Sequence, residues 1–152
     1  MSPSRISKRI VADRLKWIES MLANINALPL KTYKDFISDK RNIWSAESCL
    51  RRCLEALMDL GRHILAKGFA QGVTEYKEIS SGLLKAGLLS EVDAVKLRIL
   101  AGYRNRMVHF YHEISYRELY EICCTEISDI NYLVDVLKKW IKNHPDLIDE
   151  TL

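Results

Sequence analysis

The chain has 152 residues, of which 48% are hydrophobic and 28% are charged, and its formal net charge at pH 7 is +3. This composition predicts one soluble domain, residues 1–152, and argues against a strong general binder of polyanions. No stretch approaches the roughly 20 apolar residues of a membrane-spanning helix, and the N-terminus lacks the apolar core of a signal peptide. We therefore expect a cytoplasmic protein that does not associate with membranes.

The first half of the chain shows helical periodicity. Only six glycines and three prolines occur, and they stand where helices would end, which predicts an all-α fold. A first helix is predicted from residue 4 to 27, and Thr32 with Asp35 predicts a short capped helix after it. Gly68 is expected to end the long helix that follows. The predicted inner face of that long helix consists of Ile43, Ala46, Leu50, Cys53, Leu57, Gly61 and Ile64.

The second half is also predicted to be helical. Residues 68–81 are expected to form a loop that leads to a short helix around residues 82–86. Ser90 would cap the next helix, and Ser115 would cap a last long helix that ends before Pro145. The residues predicted to face the core from the helix after Ser90 are Val92, Val95, Ile99 and Tyr103. Antiparallel helices joined by short loops predict an up-and-down bundle of four to five main helices.

Residues 104–111, Arg-Asn-Arg-Met-Val-His-Phe-Tyr, concentrate the side chains that could handle a phosphate. Arg104 is a permanent cation with a planar fork of donors, and His109 can transfer protons near neutral pH. Asn105 can orient a neighbour, and Tyr111 adds a hydroxyl. An ideal helix separates Arg104 and His109 by roughly 140°. One straight helix therefore cannot bring Arg104, His109 and Tyr111 together. Their convergence requires a bend near His109 or a second copy of the segment, and we favour both together.

Basic residues surround this segment without an equal number of carboxylates. They are Lys96, Arg98, Arg104, Arg106 and Arg117. Such a run fits an anionic ligand or an ordinary solvated face about equally well. Arg98 and Arg106 are the candidates for contacts with phosphate or RNA. The four cysteines lack the spacing of a structural zinc site, so we expect free thiols and neither a metal nor a cofactor.

The pattern formed by Arg104, Asn105, His109 and Tyr111, late in a helical chain of this size, resembles the HEPN superfamily and most closely its HepT-type toxins. Residues 45–65 resemble the second helix of that family. A bare Arg-x4-His would be unspecific, but the polar residue after the arginine, the trailing tyrosine and the helical context make the resemblance fairly specific. It covers about residues 6–141.

The resemblance implies a metal-independent endoribonuclease that is the toxin of a toxin–antitoxin pair. Arg104, Asn105 and His109 would be catalytic, and attack of the RNA 2′-hydroxyl on the adjacent phosphate would leave a 2′,3′-cyclic phosphate. The implied antitoxin is a nucleotidyltransferase of the MntA type, which would adenylylate Tyr111. A homodimer is expected, because one histidine cannot easily serve both sides of the phosphorus atom.

Other interpretations stay open at this point. A histidine at a helix end often contacts free carbonyl groups, and Arg104 could belong to a surface ion pair. His63 and His112 are most simply structural. The alternative function is a non-catalytic helical partner of a nucleotidyltransferase, which binds a nucleotide or the substrate.

Overall fold

The computed structural model describes residues 5–109 and 114–151. In this part of the chain, seven α-helices, one short 3₁₀ helix and two short strands follow one another. They are β1 (Ile6–Ser7), α1 (Lys8–Asn26), α2 (Tyr33–Ile37), α3 (Lys40–Phe69), α4 (Tyr76–Lys85), α5 (Glu91–His109), α6 (Tyr116–Thr125), α7 (Ile127–Lys142), the 3₁₀ helix (Pro145–Leu147) and β2 (Ile148–Asp149). The predicted all-α helical bundle is confirmed.

Helix α3 forms the centre of the bundle. All seven residues predicted for its inner face are buried, and the other helices pack around it. Helix α1 lies along α3 with Val11, Ile18, Leu22 and Ile25 buried, while Leu15 is only partly buried. The predicted cap of α2 is present, since the backbone N–H of Asp35 donates to Thr32 Oγ1 at 3.0 Å. The periodic stripes therefore identified the first three helices correctly.

The two ends of the described chain meet beside α3. Strand β1 pairs in parallel with β2, with Ile6 opposite Ile148 and Ser7 opposite Asp149. The backbone N–H of Ser7 donates to His63 Nε2 at 2.9 Å. Burial lowers the pKa of His63, so this ring is held in the neutral form that can accept the bond. His63 therefore has the structural role expected for it.

Two glycines allow α3 and α4 to approach closely. A Cβ atom on Gly61 would lie 2.8 Å from Ile79 Cγ2, and one on Gly82 would lie 2.7 Å from Leu65 Cδ1. Both distances are shorter than real Cβ contacts, so a Cβ atom at either glycine would force the neighbouring side chain to move. Gly61 and Gly82 therefore mark a close contact between the two helices. This contact places Ile79 and Gly82 of α4 beside Gly61 and Leu65 of α3.

The connection between α3 and α4 differs from the prediction. Helix α3 does not end at Gly68, which is buried inside the helix against Ile6. Its C-cap is Ala70, which has a left-handed backbone with φ of 53°. Helix α4 already begins at Tyr76, so the connection is residues 70–75 rather than the predicted loop 68–81. Polar residues at the start of α4 hid this helix from a search for apolar periodicity.

The predicted inner face of α5 is mostly wrong, since only Tyr103 of its four residues packs against the core. The cap is correct, since the backbone N–H of Asp93 donates to Ser90 Oγ at 3.1 Å. However, Val92, Val95 and Ile99 are 67%, 57% and 47% exposed. The buried residues of α5 are instead Asp93, Ala94, Leu97, Leu100, Ala101 and Met107. An apolar stripe of this helix thus faces away from the core.

The predicted last long helix is divided into two. Helix α6 is capped by Ser115, as expected, but it ends at Thr125, and Glu126 separates it from α7. Leu119, Ile122, Ile130, Leu133 and Leu137 of these two helices are buried, and Ile141 is partly buried. Among the described residues, no helix combines the length and the apolar character needed to cross a membrane.

Candidate active site

An open cleft of about 540 Å³ lies where the C-terminal half of α5 meets α3 and the start of α4. Its lining combines the sequence motif with residues far from it in the chain. The lining residues are Arg62, Thr74, Glu75, Tyr76, Lys77, Arg104, Asn105 and His109. Helices α3, α4 and α5 each contribute side chains to this lining. Arg104, Asn105 and His109 of the motif therefore lie in one polar cleft.

Arg104 is held by a carboxylate on α3. Its Nη2 donates to Glu55 Oε2 at 2.9 Å, and Arg51 donates to the other oxygen of Glu55 at 2.9 Å. The side chains of Arg104 and Glu55 are only 18% and 25% exposed. This shielding from solvent strengthens the charge-assisted bond and fixes the guanidinium.

The remaining N–H groups of Arg104 determine whether it can bind an anion in addition to Glu55. Its Nη1 donates to Asn105 Oδ1 at 3.3 Å. Its Nε is buried and has no hydrogen-bond partner among the described residues. A guanidinium carries five N–H groups, so one N–H on each terminal nitrogen remains for an anion. Arg104 can thus hold a phosphate oxygen without giving up Glu55.

Tyr76 supports Arg104 from the first turn of α4. The guanidinium carbon of Arg104 lies 4.5 Å from the centroid of the Tyr76 ring, in the range of a cation–π contact. The hydroxyl of Tyr76 donates to Asp59 Oδ1 at 3.4 Å. Burial, and then the charge of Asp59, raise the pKa of this phenol, so it stays neutral. The ring therefore acts as a platform for the arginine.

His109 is the last residue of α5 that the structure describes, and its side chain is exposed in the cleft. Arg104 and His109 thus line the same cleft from one helix, although roughly 140° separates them around an ideal helix. The predicted bend after His109 falls on residues 110–113. Tyr111 and His112 therefore lie outside the described residues.

In the described part of the chain, carboxylates offset part of the positive charge predicted around the motif. Arg106 forms a two-pronged pair with Glu118, with distances of 2.7 and 2.8 Å, and Lys96 lies 3.6 Å from Asp129. The Arg106 bond holds the pKa of Glu118 below its usual value. Arg106 and the exposed Arg98 do not line the cleft. The cations that do line it are Arg62, Lys77 and Arg104.

Sequence reasoning missed Glu55, Arg62 and Tyr76 at this site. Glu55 and Arg62 belong to a polar stripe of α3 that also contains Asp59. In the sequence alone, such a stripe indicates a solvated helix face. Only the folded structure shows that Glu55 contacts Arg104. Among the described residues, no group of three or more His, Cys, Asp or Glu side chains could hold a metal ion.

The fold and the cleft together define a class of protein. It is an all-α bundle in which one helix presents an arginine and a histidine to a polar cleft suited to an anion. The sequence agrees with this class, since residues 14–137 match the family described as "Ribonuclease HepT-like". The chain belongs to the HepT-like ribonuclease family.

Solved structures share the fold. A tri-AMPylated HEPN toxin of Shewanella oneidensis, in complex with an MNT antitoxin, is 22% identical with a TM-score of 0.77, over 86% of this chain and 97% of that one. A mutant of the toxin–antitoxin pair MntA–HpeT is 21% identical with a TM-score of 0.76, over 87% and 99%. A cytosolic protein of unknown function, YutE of Bacillus subtilis, is 15% identical with a TM-score of 0.77, over 92% and 94%. No curated protein sequence matches this chain.

Proposed function

We propose that this protein is the toxin of a cytoplasmic toxin–antitoxin pair and a metal-independent endoribonuclease. The observation that carries the proposal is the position of Arg104 and His109 in one cleft, in a chain of the HepT-like ribonuclease family. Arg104, Asn105 and His109 are the proposed catalytic residues.

RNA supplies its own nucleophile, so the protein needs only to move protons, stabilise charge and align the strand. The 2′-hydroxyl loses its proton and its oxygen attacks the adjacent phosphorus, while the bond to the 5′-oxygen of the next nucleotide breaks. That oxygen takes up a proton, and the products are a 2′,3′-cyclic phosphate and a 5′-hydroxyl. Arg104 stabilises the charge on the phosphoryl oxygens, and His109 transfers one of the protons. Asn105 keeps Arg104 oriented through the contact between Arg104 Nη1 and Asn105 Oδ1.

The chemistry of the new ends tests this proposal. The purified protein is incubated in excess EDTA with an oligoribonucleotide, and the products are analysed for cyclic phosphate and 5′-hydroxyl ends. The matched control is the same strand with 2′-deoxyribose at the mapped cleavage position. We expect the control to stay uncut at that position, because it lacks the nucleophile. Cleavage of the deoxy position would contradict the mechanism, and intact RNA with retained nucleotide binding would favour the non-catalytic partner.

A homodimer is part of the proposal, and the outer face of α5 supports it. The exposed residues Val92, Val95 and Ile99 lie on one side of this helix. Gly102 continues the stripe, and a Cβ atom there would meet nothing within 4 Å. A glycine inside a helix costs about 1 kcal/mol relative to alanine, and the described residues give no packing reason for it. A second helix could approach closely at this point.

The same face leads toward the cleft. Gly102 and His109 are seven residues apart, so they lie on nearly the same side of α5. We propose that a second copy packs on this stripe with the two clefts side by side, so that a second histidine could protonate the leaving oxygen. We also propose that Arg98 and Arg106 contact RNA, as predicted from the sequence. Arg98 is exposed at the edge of the stripe.

The proposed dimer contact predicts the effect of a charge on the exposed stripe. Val95→Asp is expected to convert the protein to a monomer at micromolar concentration, because a carboxylate would be buried without a partner. Ile37→Asp, which changes an apolar residue that is 39% exposed on α2, is the matched control. Sedimentation analysis of both variants checks the prediction. A Val95→Asp protein that sediments like wild type would contradict the proposed interface.

Modification of Tyr111 is the proposed mode of neutralisation. The Shewanella toxin is tri-AMPylated in its complex with an MNT antitoxin, and the pair MntA–HpeT has the same toxin fold. Tyr111 follows His109 by two residues, so adenylate at its hydroxyl would place negative charge near the residues that bind substrate phosphate. We propose an antitoxin of the MntA nucleotidyltransferase type as the partner that adds it.

Tyr111→Phe is expected to remain toxic but to escape this antitoxin. Phenylalanine keeps the ring and removes only the oxygen that would accept adenylate. Growth on co-expression and the mass of the purified toxin measure the two effects, and Tyr116→Phe serves as control at an exposed tyrosine in the first turn of α6. A Tyr111→Phe toxin that is neutralised as completely as wild type would argue for occlusion instead of modification.

A further inference from the structure

A second arginine, Arg62 on α3, lies in the cleft with Arg104. Its guanidinium carbon is 4.9 Å from the centroid of the Tyr76 ring, and that of Arg104 is 4.5 Å from the same centroid. One aromatic ring therefore contacts both guanidinium groups. Two like charges repel, and the carboxylates of Glu55 and Asp59 offset part of this repulsion.

The two arginines differ in how far their charge is already compensated. Arg104 is bonded to Glu55 at 2.9 Å. The carboxylate oxygen paired with Arg62 is Oδ1 of Asp59, which lies 3.9 Å from Arg62 Nη1. The same oxygen also accepts a hydrogen bond from the hydroxyl of Tyr76. An ion pair of this length contributes little. Arg62 therefore keeps more of its charge for a ligand than Arg104 does.

The side chain of Arg62 can also be reached from the cleft. It is 37% exposed, while its Nε is buried and has no hydrogen-bond partner in the described part of the chain. The N–H groups that remain available to a ligand are thus those of the two terminal nitrogens of Arg62. Lys77, the other additional cation of the lining, lies 3.5 Å from Glu75 and has a flexible, more exposed side chain. Arg62 is the better placed of the two for an oriented phosphate contact.

We propose that Arg62 binds the phosphate adjacent to the one held by Arg104, so that the cleft recognises an RNA strand through two consecutive phosphates. This inference rests on the proposed ribonuclease function, and it specifies that a good substrate carries a second phosphate next to the one that is cleaved. Tyr76 is the positioning residue, since its ring contacts both guanidinium groups. A substrate with a single phosphate would use Arg104 alone.

The test compares two substrates and three variants. One substrate is a hexaribonucleotide, and the other is a dinucleoside monophosphate, which has only the phosphate to be cleaved. Arg62→Ala is expected to lower kcat/KM for the hexaribonucleotide by roughly tenfold, mostly through KM, because one charge-assisted contact is lost. The loss on the dinucleoside monophosphate should be much smaller, because this substrate has no adjacent phosphate for Arg62 to bind. Arg62→Lys should recover part of the loss, because it keeps the charge without the planar fork.

Arg52→Ala is the matched control, because Arg52 is an exposed arginine of the same helix that does not line the cleft. It should leave both substrates unaffected. A binding series in His109→Ala protein gives an independent readout, since loss of one phosphate contact should lower the slope of log K against log salt by about 0.7 for a single strand.

The outcomes separate this inference from the proposed function. If wild type cleaves the hexaribonucleotide and Arg62→Ala behaves like Arg52→Ala, the second phosphate contact is absent and the inference is overturned. An equal loss on both substrates would also overturn it, because Arg62 would then act on the fold or on the cleaved phosphate. If wild type neither binds nor cleaves RNA, the proposed function fails and this inference fails with it.

Discussion

Replacement of His109 by alanine is expected to slow RNA cleavage by roughly 10²- to 10⁴-fold, because proton transfer by a positioned side chain contributes about that much. The side chain of His109 is exposed in the cleft, so its removal should leave the core intact. The single-turnover rate on a defined RNA measures the effect, and thermal unfolding of the same preparation shows whether the fold is kept. RNA binding should be retained, since Arg62 and Arg104 remain.

A second histidine provides the control for this variant. His144 stacks on Trp140 at 4.2 Å between ring centroids, and its Nδ1 lies 2.7 Å from the Trp140 carbonyl oxygen at the end of α7. It does not line the cleft, so His144→Ala should cleave RNA at the wild-type rate. A His109→Ala protein that cleaves as fast as His144→Ala would exclude His109 as the proton carrier.

Arg104→Ala is expected to lower kcat by roughly 10²- to 10³-fold, the cost of removing one donor that stabilises developing charge. Arg104→Lys should restore only part of this loss. A lysine keeps the charge but lacks the planar fork, which bonds Glu55 and Asn105 while it lies over Tyr76. The cleavage rate should therefore fall from wild type to Arg104→Lys to Arg104→Ala. Single-turnover rates of the three proteins check this order.

Arg51→Lys is the control for this comparison. Arg51 donates to the other oxygen of Glu55, but it does not line the cleft. The same chemical change at Arg51 should therefore have little effect on cleavage. Full activity of Arg104→Lys would show that a point charge is sufficient at this position, and would contradict the importance assigned to the stacked guanidinium.

Helices with one apolar face could be predicted from the sequence, whereas α5 could not be oriented. The inner face of α3 was predicted correctly because its apolar residues form a single stripe. Helix α5 carries two, one with Val95 and Ile99 and the other with Leu97 and Leu100. Periodicity detects both stripes equally. The packing of α3, α4 and α7 against α5 determines which of them is buried, and no local pattern records that packing.

The candidate site could be predicted only in the part that is local in the sequence. Arg104, Asn105 and His109 lie within six residues of one another, so their pattern is visible. Glu55 is 49 residues from Arg104 in the chain, and it meets the arginine through the packing of α3 against α5. Tyr76 reaches the cleft because glycines bring α3 and α4 close together. These contacts follow from tertiary structure, which the spacing of residue types does not encode directly.

Cleavage of total RNA in excess EDTA, by wild-type protein and by His109→Ala side by side, most directly tests whether this cleft is a metal-independent ribonuclease site. We expect wild type to cut the RNA and to leave 2′,3′-cyclic phosphate ends, while His109→Ala leaves it almost intact over the same time. Equal cutting by the two proteins, or no cutting by either, would contradict the assignment of His109 and Arg104 as a ribonuclease centre.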